Sequence, residues 1–247
     1  MDAAFIRLSH KPEPLDRPVW AALKTRHTGF AETDGPACAY SEDVAPFGAV
    51  DPTAPETQSC LERLTRRRMN GIVFMQSDVV QVPAGLACTR EAAGVQMILA
   101  QPVAAGEAGM ISRLTPGDVA EMLGLVARAE PGPFAARTHL LGAYWGIRRG
   151  GRLVAMAGER LRLPGYCEIS AVCVHPAYQG QGFARRLVMH VARGIVARGE
   201  TPILHTYADN HAAIALYHHL GFRVSRQMHI VTLVHADARA TAPLPPG

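Results

Sequence analysis

Between residues 172 and 184 the chain reads Val172-Cys173-Val174-His175-Pro176-Ala177-Tyr178-Gln179-Gly180-Gln181-Gly182-Phe183-Ala184. An apolar strand-like run halts at a proline, crosses two glycines and leads directly into a segment of helical apolar period. This stretch constrains the fold more than any other, because a strand has to end where a helix begins. The helix N-terminus, with its unpaired N–H donors and positive dipole end, is then held at the edge of a sheet. Glycines let backbone amides approach a ligand closely, so the product is an anion cradle of phosphate or pyrophosphate size. Arg185 and Arg186, in the first turn, oppose the dipole, which is easier to understand beside an anion. A plain strand–turn–helix connection containing two glycines accounts for the same letters, so the loop alone leaves both readings open. The segment is neither G-x-x-x-x-G-K-[ST] nor G-x-G-x-x-G, since position 185 is arginine.

Around this loop the punctuation is regular. Thr115-Pro116-Gly117-Asp118 opens an amphipathic helix carrying Val119, Met122, Leu123 and Val126. Strands are expected at about 142–147, 153–161 and 167–174, separated by Arg149-Gly150-Gly151 and Leu163-Pro164-Gly165, which suits an antiparallel meander. A helix over about 182–198, a strand at 203–207, a helix over about 211–220 and strands at 222–226 and 229–233 complete this part. The first half reads as irregular α/β, with helices over about 18–30 and 56–69 and strands at 71–75 and 95–99. A boundary is expected near Ala104–Gly109, which gives three units. These are an α/β N-terminal domain (1–107), the motif-bearing domain (108–236) and a Pro-rich tail (237–247) that cannot continue a sheet.

Two elements then carry chemistry. Gln179-x-x-Gly182-x-Ala184 resembles the Q/R-x-x-G-x-G/A signature of the GNAT superfamily of acyl-CoA-dependent N-acyltransferases. Downstream, Asn210-x-x-Ala213-x-x-Leu216-Tyr217-x-x-Leu220-Gly221-Phe222 is similar to the family's N-x-x-A-x-x-L-Y-x-x-L-G-F at every fixed position. The residues make sense locally: Asn210 can cap a helix, Asn210 and Tyr217 lie about two turns apart, and Gly221 stops the helix before Phe222. The resemblance covers about 160–225 strongly, extends over 109–236, and is absent before about 105.

The resemblance implies a mixed, mainly antiparallel central sheet flanked by helices, preceded by a smaller α/β domain that is either a companion or a degenerate half of the same fold. It implies acetyl-CoA as co-substrate, no metal, and a primary amine acceptor attacked directly in a ternary complex. Two splayed strands would hold the pantetheine arm through backbone groups of Val172, Cys173 and Val174. Gln179, Gly180, Gln181, Gly182, Phe183 and Ala184 would take the pyrophosphate. Asn210 and Ala213 would line the cofactor, and Tyr217 would protonate the leaving thiolate. Glu168 is the candidate proton acceptor, sharing a face with Ser170, Val172 and Val174 by alternation unless a bulge intervenes, with Glu159 as second choice. His205 reads as a satisfied core histidine, with a place in the acceptor pocket as the alternative. Cys173 reads as a small hydrophobe rather than an acyl carrier.

Composition narrows the class. The 247 residues are 48% hydrophobic and 19% charged, a balance that suits a packed core and not a disordered chain. No apolar run reaches membrane-spanning length, and the first residues show no signal-peptide core. Five scattered cysteines without a C-x-x-C pair argue against a disulfide framework or zinc site, so a reducing cytoplasm is the expected home. His211, His218 and His219 crowd one helix but lack a completing carboxylate or cysteine at metal-ligand spacing. Net charge divides as −3 over residues 1–108 and +7 over 109–247, which suits an anionic partner but follows equally from an arginine-rich composition. Arg66-Arg67-Arg68 reads as a solvated helix end. Two alternatives stay open: a CoA-binding regulatory module without turnover, and, less favoured, a nucleic-acid-binding protein lacking a recognisable reading helix. A homo-oligomer also stays open.

Overall fold

A computed structural model describes residues 14–101 and 110–239. The first half contributes α1 (Pro18–Leu23), β1 (Ala31–Asp34), β2 (Ala37–Tyr40), β3 (Gly48–Val50), α2 (Thr57–Arg66), β4 (Ile72–Gln76) and β5 (Leu86–Leu99). The second contributes β6 (Ile111–Arg113), α3 (Val119–Ala129), β7 (Tyr144–Arg149), β8 (Arg152–Leu163), β9 (Tyr166–Val174), α4 (Phe183–Ala197), β10 (Thr201–Tyr207), α5 (His211–His219), β11 (Phe222–His235) and α6 (Ala236–Arg239). Strands β1, β2 and β3 form a small antiparallel sheet. The other eight form one large sheet in the order β4-β11-β5-β10-β9-β8-β7-β6. Only β9 and β10 run parallel among the neighbours of that sheet. The fold is therefore the expected α/β arrangement, a mainly antiparallel mixed sheet flanked by helices, with an additional N-terminal sheet.

Helices cover both faces. On one side α4 buries Phe183, Leu187, Val188, Val191, Ala192 and Ile195, a helical stripe seated against Val154, Cys167, Ile169 and Leu204. On the other, α1 packs Val19, Ala22 and Leu23 near Leu161, Leu163 and Ile203, while α3 sets Met122 and Leu125 on Met156, Ala171 and Cys173. The turn before α3 closes as a capping box, with the Asp118 carboxylate accepting from the backbone N–H and hydroxyl of Thr115.

Several expectations change. The sheet crosses the boundary placed at residue 107, because β5 lies between β10 and β11 and pairs antiparallel with both. The boundary stretch from 102 to 109 and the tail from 240 lie outside the described residues. Strand β5 runs from Leu86 rather than 95, since pairing with β11 carries it through the polar Thr89-Arg90-Glu91 that shows no strand alternation. The two strands expected at 222–226 and 229–233 are one, β11, continuous through an irregularity between Val224 and Arg226. Strands β1–β3 and β6, three or four residues each, are too short to announce themselves. The helix expected over 18–30 stops at Leu23, and His27 turns inward to the Tyr40 hydroxyl at 2.7 Å. The helix expected to reach residue 69 stops at Arg66. Its arginines disperse: Arg66 to His235, Arg67 to Asp34, and the buried Arg68 to Glu32 and the Tyr40 carbonyl.

Candidate active site

Strands β9 and β10 stay in register for three residue pairs, Thr201 with Tyr166, Pro202 with Cys167 and Ile203 with Glu168. Beyond them the strands part. Strand β9 bends at Ala171, a non-glycine residue at φ +51°, where its register with β8 slips between Gly158–Ser170 and Met156–Cys173. Strand β10 continues on β5 instead, with His205 opposite Gln96 and Tyr207 opposite Gly94. The result is a V whose β9 arm, from Ile169 to Val174, has no strand registered on its inner edge. An unpaired strand edge offers alternating N–H and C=O groups to an extended ligand. A cavity of about 320 Å³ opens there, bounded by Ile169 to Val172 on one arm and His205 to Tyr207 on the other.

The glycine loop stands at the open end of the β9 arm. Gly180 and Gly182 have φ of +76° and +74°, values that side chains rarely tolerate, and a Cβ at either would meet nothing within 4 Å. Gly182 is the N-cap of the 15-residue α4, with no side chain capping the first turn and no acidic residue in it. The first amides of α4 thus face open space without an acceptor, which fits an anion. Gln179, Gln181, Arg185 and Arg186 are exposed around them, and Arg149 lies 5.2 Å from the Phe183 ring. Phe183 itself is buried in the core and anchors the helix, so only its backbone is available to a ligand.

Helix α5 brings the second motif to the same cavity. Asn210 caps it, its Oδ1 accepting from the Ala213 N–H at 3.1 Å. Asn210, Ala213 and Tyr217 all line the cavity. Tyr217 is 8% exposed, and burial pushes its hydroxyl up to about 12, so it stays protonated at neutral pH.

The bulge at Ala171 overturns the facial alignment expected for Glu168. Val172 and Val174 pack toward α4 with Cys167 and Ile169, while Glu168 lies on the opposite face, fully buried. Its carboxylate accepts from Arg160 Nε at 2.8 Å, Arg160 Nη2 at 2.7 Å, the Leu161 N–H at 3.2 Å and His205 Nδ1 at 2.7 Å. Burial alone would raise a carboxyl pKa, but the Arg160 guanidinium and these bonds outweigh it and hold Glu168 well below the usual carboxylate range. A carboxylate so satisfied is a poor direct proton acceptor, and it does not line the cavity. His205 and Arg160 do. The second choice, Glu159, is ion-paired with Arg198 at 3.0 Å, away from the cavity. Cys173 packs under α3, and burial pushes its thiol up to about 12, so the side chain is no acyl carrier.

His205 unites both readings made of it: both ring nitrogens are satisfied, and the ring borders the cavity. Gln96 Nε2 donates to the Leu15 carbonyl and to His205 Nε2, each at 3.0 Å. That pattern assigns the proton to Nδ1, directed at Glu168. Sequence alone could have found the Glu168–His205 pairing only through the β9–β10 register. The walls from the first half, Phe47, Val73, Met75 and Arg90, carried no motif at all.

A splayed parallel strand pair, a glycine-capped loop at a helix start and an asparagine-capped helix presenting a tyrosine together match the N-acyltransferase fold that the two sequence motifs resemble. Comparison with known proteins agrees. A family model described as FR47-like protein matches residues 144–231. A crystal structure from Novosphingobium aromaticivorans, assigned to acetyltransferases of the GNAT family, superposes with a TM-score of 0.85 at 38% identity, covering 91% of this chain and 100% of that one. The chain belongs to the GNAT family. It is also similar to the N-alpha-acetyltransferase RimI of Mycobacterium tuberculosis, 42% identical over 99 residues, which is 38% of this chain and 61% of that protein. The mycothiol acetyltransferase of Mycobacteroides abscessus is 34% identical over 121 residues, 45% of this chain and 36% of that protein. The chain thus spans less than two thirds of each of these curated relatives.

Proposed function

We propose that the chain is an acetyl-CoA-dependent N-acetyltransferase that places a primary amine against the bound thioester in a ternary complex. The observation that carries this reading is the cavity where β9 leaves β10, because it joins an unpaired strand edge, Tyr217 and His205 in one space. Acetyl-CoA supplies an activated acetyl group. The backbone of Val172, Cys173 and Val174 hydrogen-bonds the pantetheine arm, and one amide of this edge faces the carbonyl oxygen that gains negative charge. Residues 179–184 hold the pyrophosphate on the amides of Gly182 to Ala184, and Asn210 and Ala213 position the reactive end.

An ammonium has no lone pair, so the acceptor has to lose a proton before it attacks. His205 takes that role in place of Glu168, directly or through water, once its Nε2 lone pair is released by the Gln96 N–H that occupies it in this structure. Glu168 holds the ring through Nδ1 and offsets the positive charge that forms, while Arg160 keeps Glu168 ionised. For Nε2 to gain a proton, the Gln96 carboxamide has to withdraw its N–H from the ring, keeping its bond to the Leu15 carbonyl. Tyr217 donates to the departing sulfur. Its raised pKa keeps the hydroxyl protonated but makes it a weaker acid, so complete transfer to a thiolate of ordinary pKa near 8.5 is uphill and the two protons move together with the collapse of the adduct. A reducing cytoplasmic setting suits the five free cysteines.

Thermal unfolding with acetyl-CoA, with CoA and with ATP as an anion control tests the cofactor. At 100 times its Kd a ligand adds about 2.7 kcal/mol, so acetyl-CoA and CoA should raise Tm and ATP should not. No rise with either CoA species would overturn the reading.

A further inference from the structure

Resting on the N-acetyltransferase reading, we infer that the acceptor is an elongated amine whose far end carries an anionic group, taken by Arg90. The cavity has two cationic arginines on its wall, Arg90 and Arg160. Arg160 is already neutralised by the two-pronged contact with Glu168 and lies across the Phe47 ring at 4.7 Å, so it has no charge left to offer. Arg90 lies over the Tyr207 ring with its guanidinium carbon 5.1 Å from the centroid, and no carboxylate meets it among the described residues. A guanidinium over an aromatic face is held by the ring while its N–H groups can still meet an anion.

The register supplies a length. Tyr207 follows His205 by two residues on β10, a spacing of about 7 Å along a strand. Arg90 approaches Tyr207 from the side away from His205, since the partner of Tyr207 on β5 is Gly94 and that of His205 is Gln96. An amine next to His205 therefore lies about 7 Å or more from the anion site, which is too far for the amine and carboxylate of a single α-amino acid. Between the two ends the wall is apolar, formed by Met75, Val73 and Ile230. Glu130, the C-cap of α3, also lines the cavity and favours a cationic amine.

The test uses ω-amino carboxylates (glycine, 4-aminobutyrate, 6-aminohexanoate and 8-aminooctanoate) beside butylamine and hexylamine. Acetyl transfer is followed by thiol release, and binding by calorimetry on the CoA-loaded protein. The expected result is a preference of at least tenfold for 6-aminohexanoate over hexylamine, with glycine poor, and a ratio falling toward one in Arg90→Gln. Equal binding of hexylamine and 6-aminohexanoate, or a preference that survives Arg90→Gln, would overturn the inference. Absence of turnover with every amine would instead count against the acetyltransferase reading, while the calorimetric ratio still decides the role of Arg90.

Discussion

Nδ1 of His205 lies 2.7 Å from Oε1 of Glu168, across the last registered pair before β9 and β10 separate. The contact joins a carboxylate held ionised by Arg160 to an imidazole on the wall of the cavity, so charge buried beneath the sheet is felt at its surface. His205→Gln should keep the fold and lower kcat by about 10²–10⁴, the usual contribution of a positioned base. Urea unfolding and steady-state kinetics of the same preparation check it. Wild-type turnover would remove His205 from the reaction.

Glu168→Gln should behave differently, because it strands the guanidinium of the buried Arg160 without a counter-charge. A loss of about 3–5 kcal/mol is expected in denaturant midpoints. The double variant Arg160→Leu/Glu168→Leu should recover much of that stability, since replacing a buried ion pair by apolar residues is often neutral or better. It should not recover activity, because His205 has lost its anchor. Recovery of both would reduce Glu168 to packing.

The loop prediction is simpler. Gly182→Glu puts a β-carbon at φ +74° and a carboxylate over the first amides of α4. The backbone strain is of order 1–2 kcal/mol, which a 15-residue helix anchored by Phe183 tolerates. Acetyl-CoA binding, by contrast, should disappear in a calorimetric titration. A Kd unchanged from the parent protein would mean that no anion sits there.

For Tyr217→Phe the hydroxyl is lost while the ring keeps its edge contact with Phe222, whose centroid lies 6.2 Å away. Cofactor Kd should change little and kcat should fall by about 10²-fold, because only the donor to the sulfur is gone. The paired measurement also separates an enzyme from a CoA-binding module, in which neither quantity matters to turnover.

What the sequence disclosed and what it withheld follow from the range of the interactions. The loop from Gln179 to Ala184 and the cap from Asn210 to Ala213 are short-range geometry, and their glycines, asparagine and apolar spacing report it directly. The phase of β9 depends on one residue, Ala171, whose positive φ has no signature in an alanine. That is why Glu168 was expected on the face of Val172. The insertion of β5 between β10 and β11 joins residues more than a hundred positions apart, and neither strand encodes its neighbour. The cavity walls at Phe47, Met75 and Arg90 became visible only with that topology.

Stability should fall in mild acid, and His27 is one cause. The ring is 3% exposed beside Tyr40, and burial, reinforced by Arg162, lowers its pKa from 6.5 to about 4. Between those values the unfolded chain binds a proton that the folded protein excludes, so stability is complete above pH 6.5 and drains away as pH falls toward 4. The loss at pH 5 from this residue is roughly 2 kcal/mol. Glu168 acts in the same direction but only below the ordinary carboxylate range, so it contributes little at pH 5. His27→Gln keeps a polar partner for the Tyr40 hydroxyl and cannot titrate. Urea midpoints at pH 8 and pH 5 should therefore lie closer together in the variant than in the parent protein, and an identical separation would show that the proton uptake belongs elsewhere.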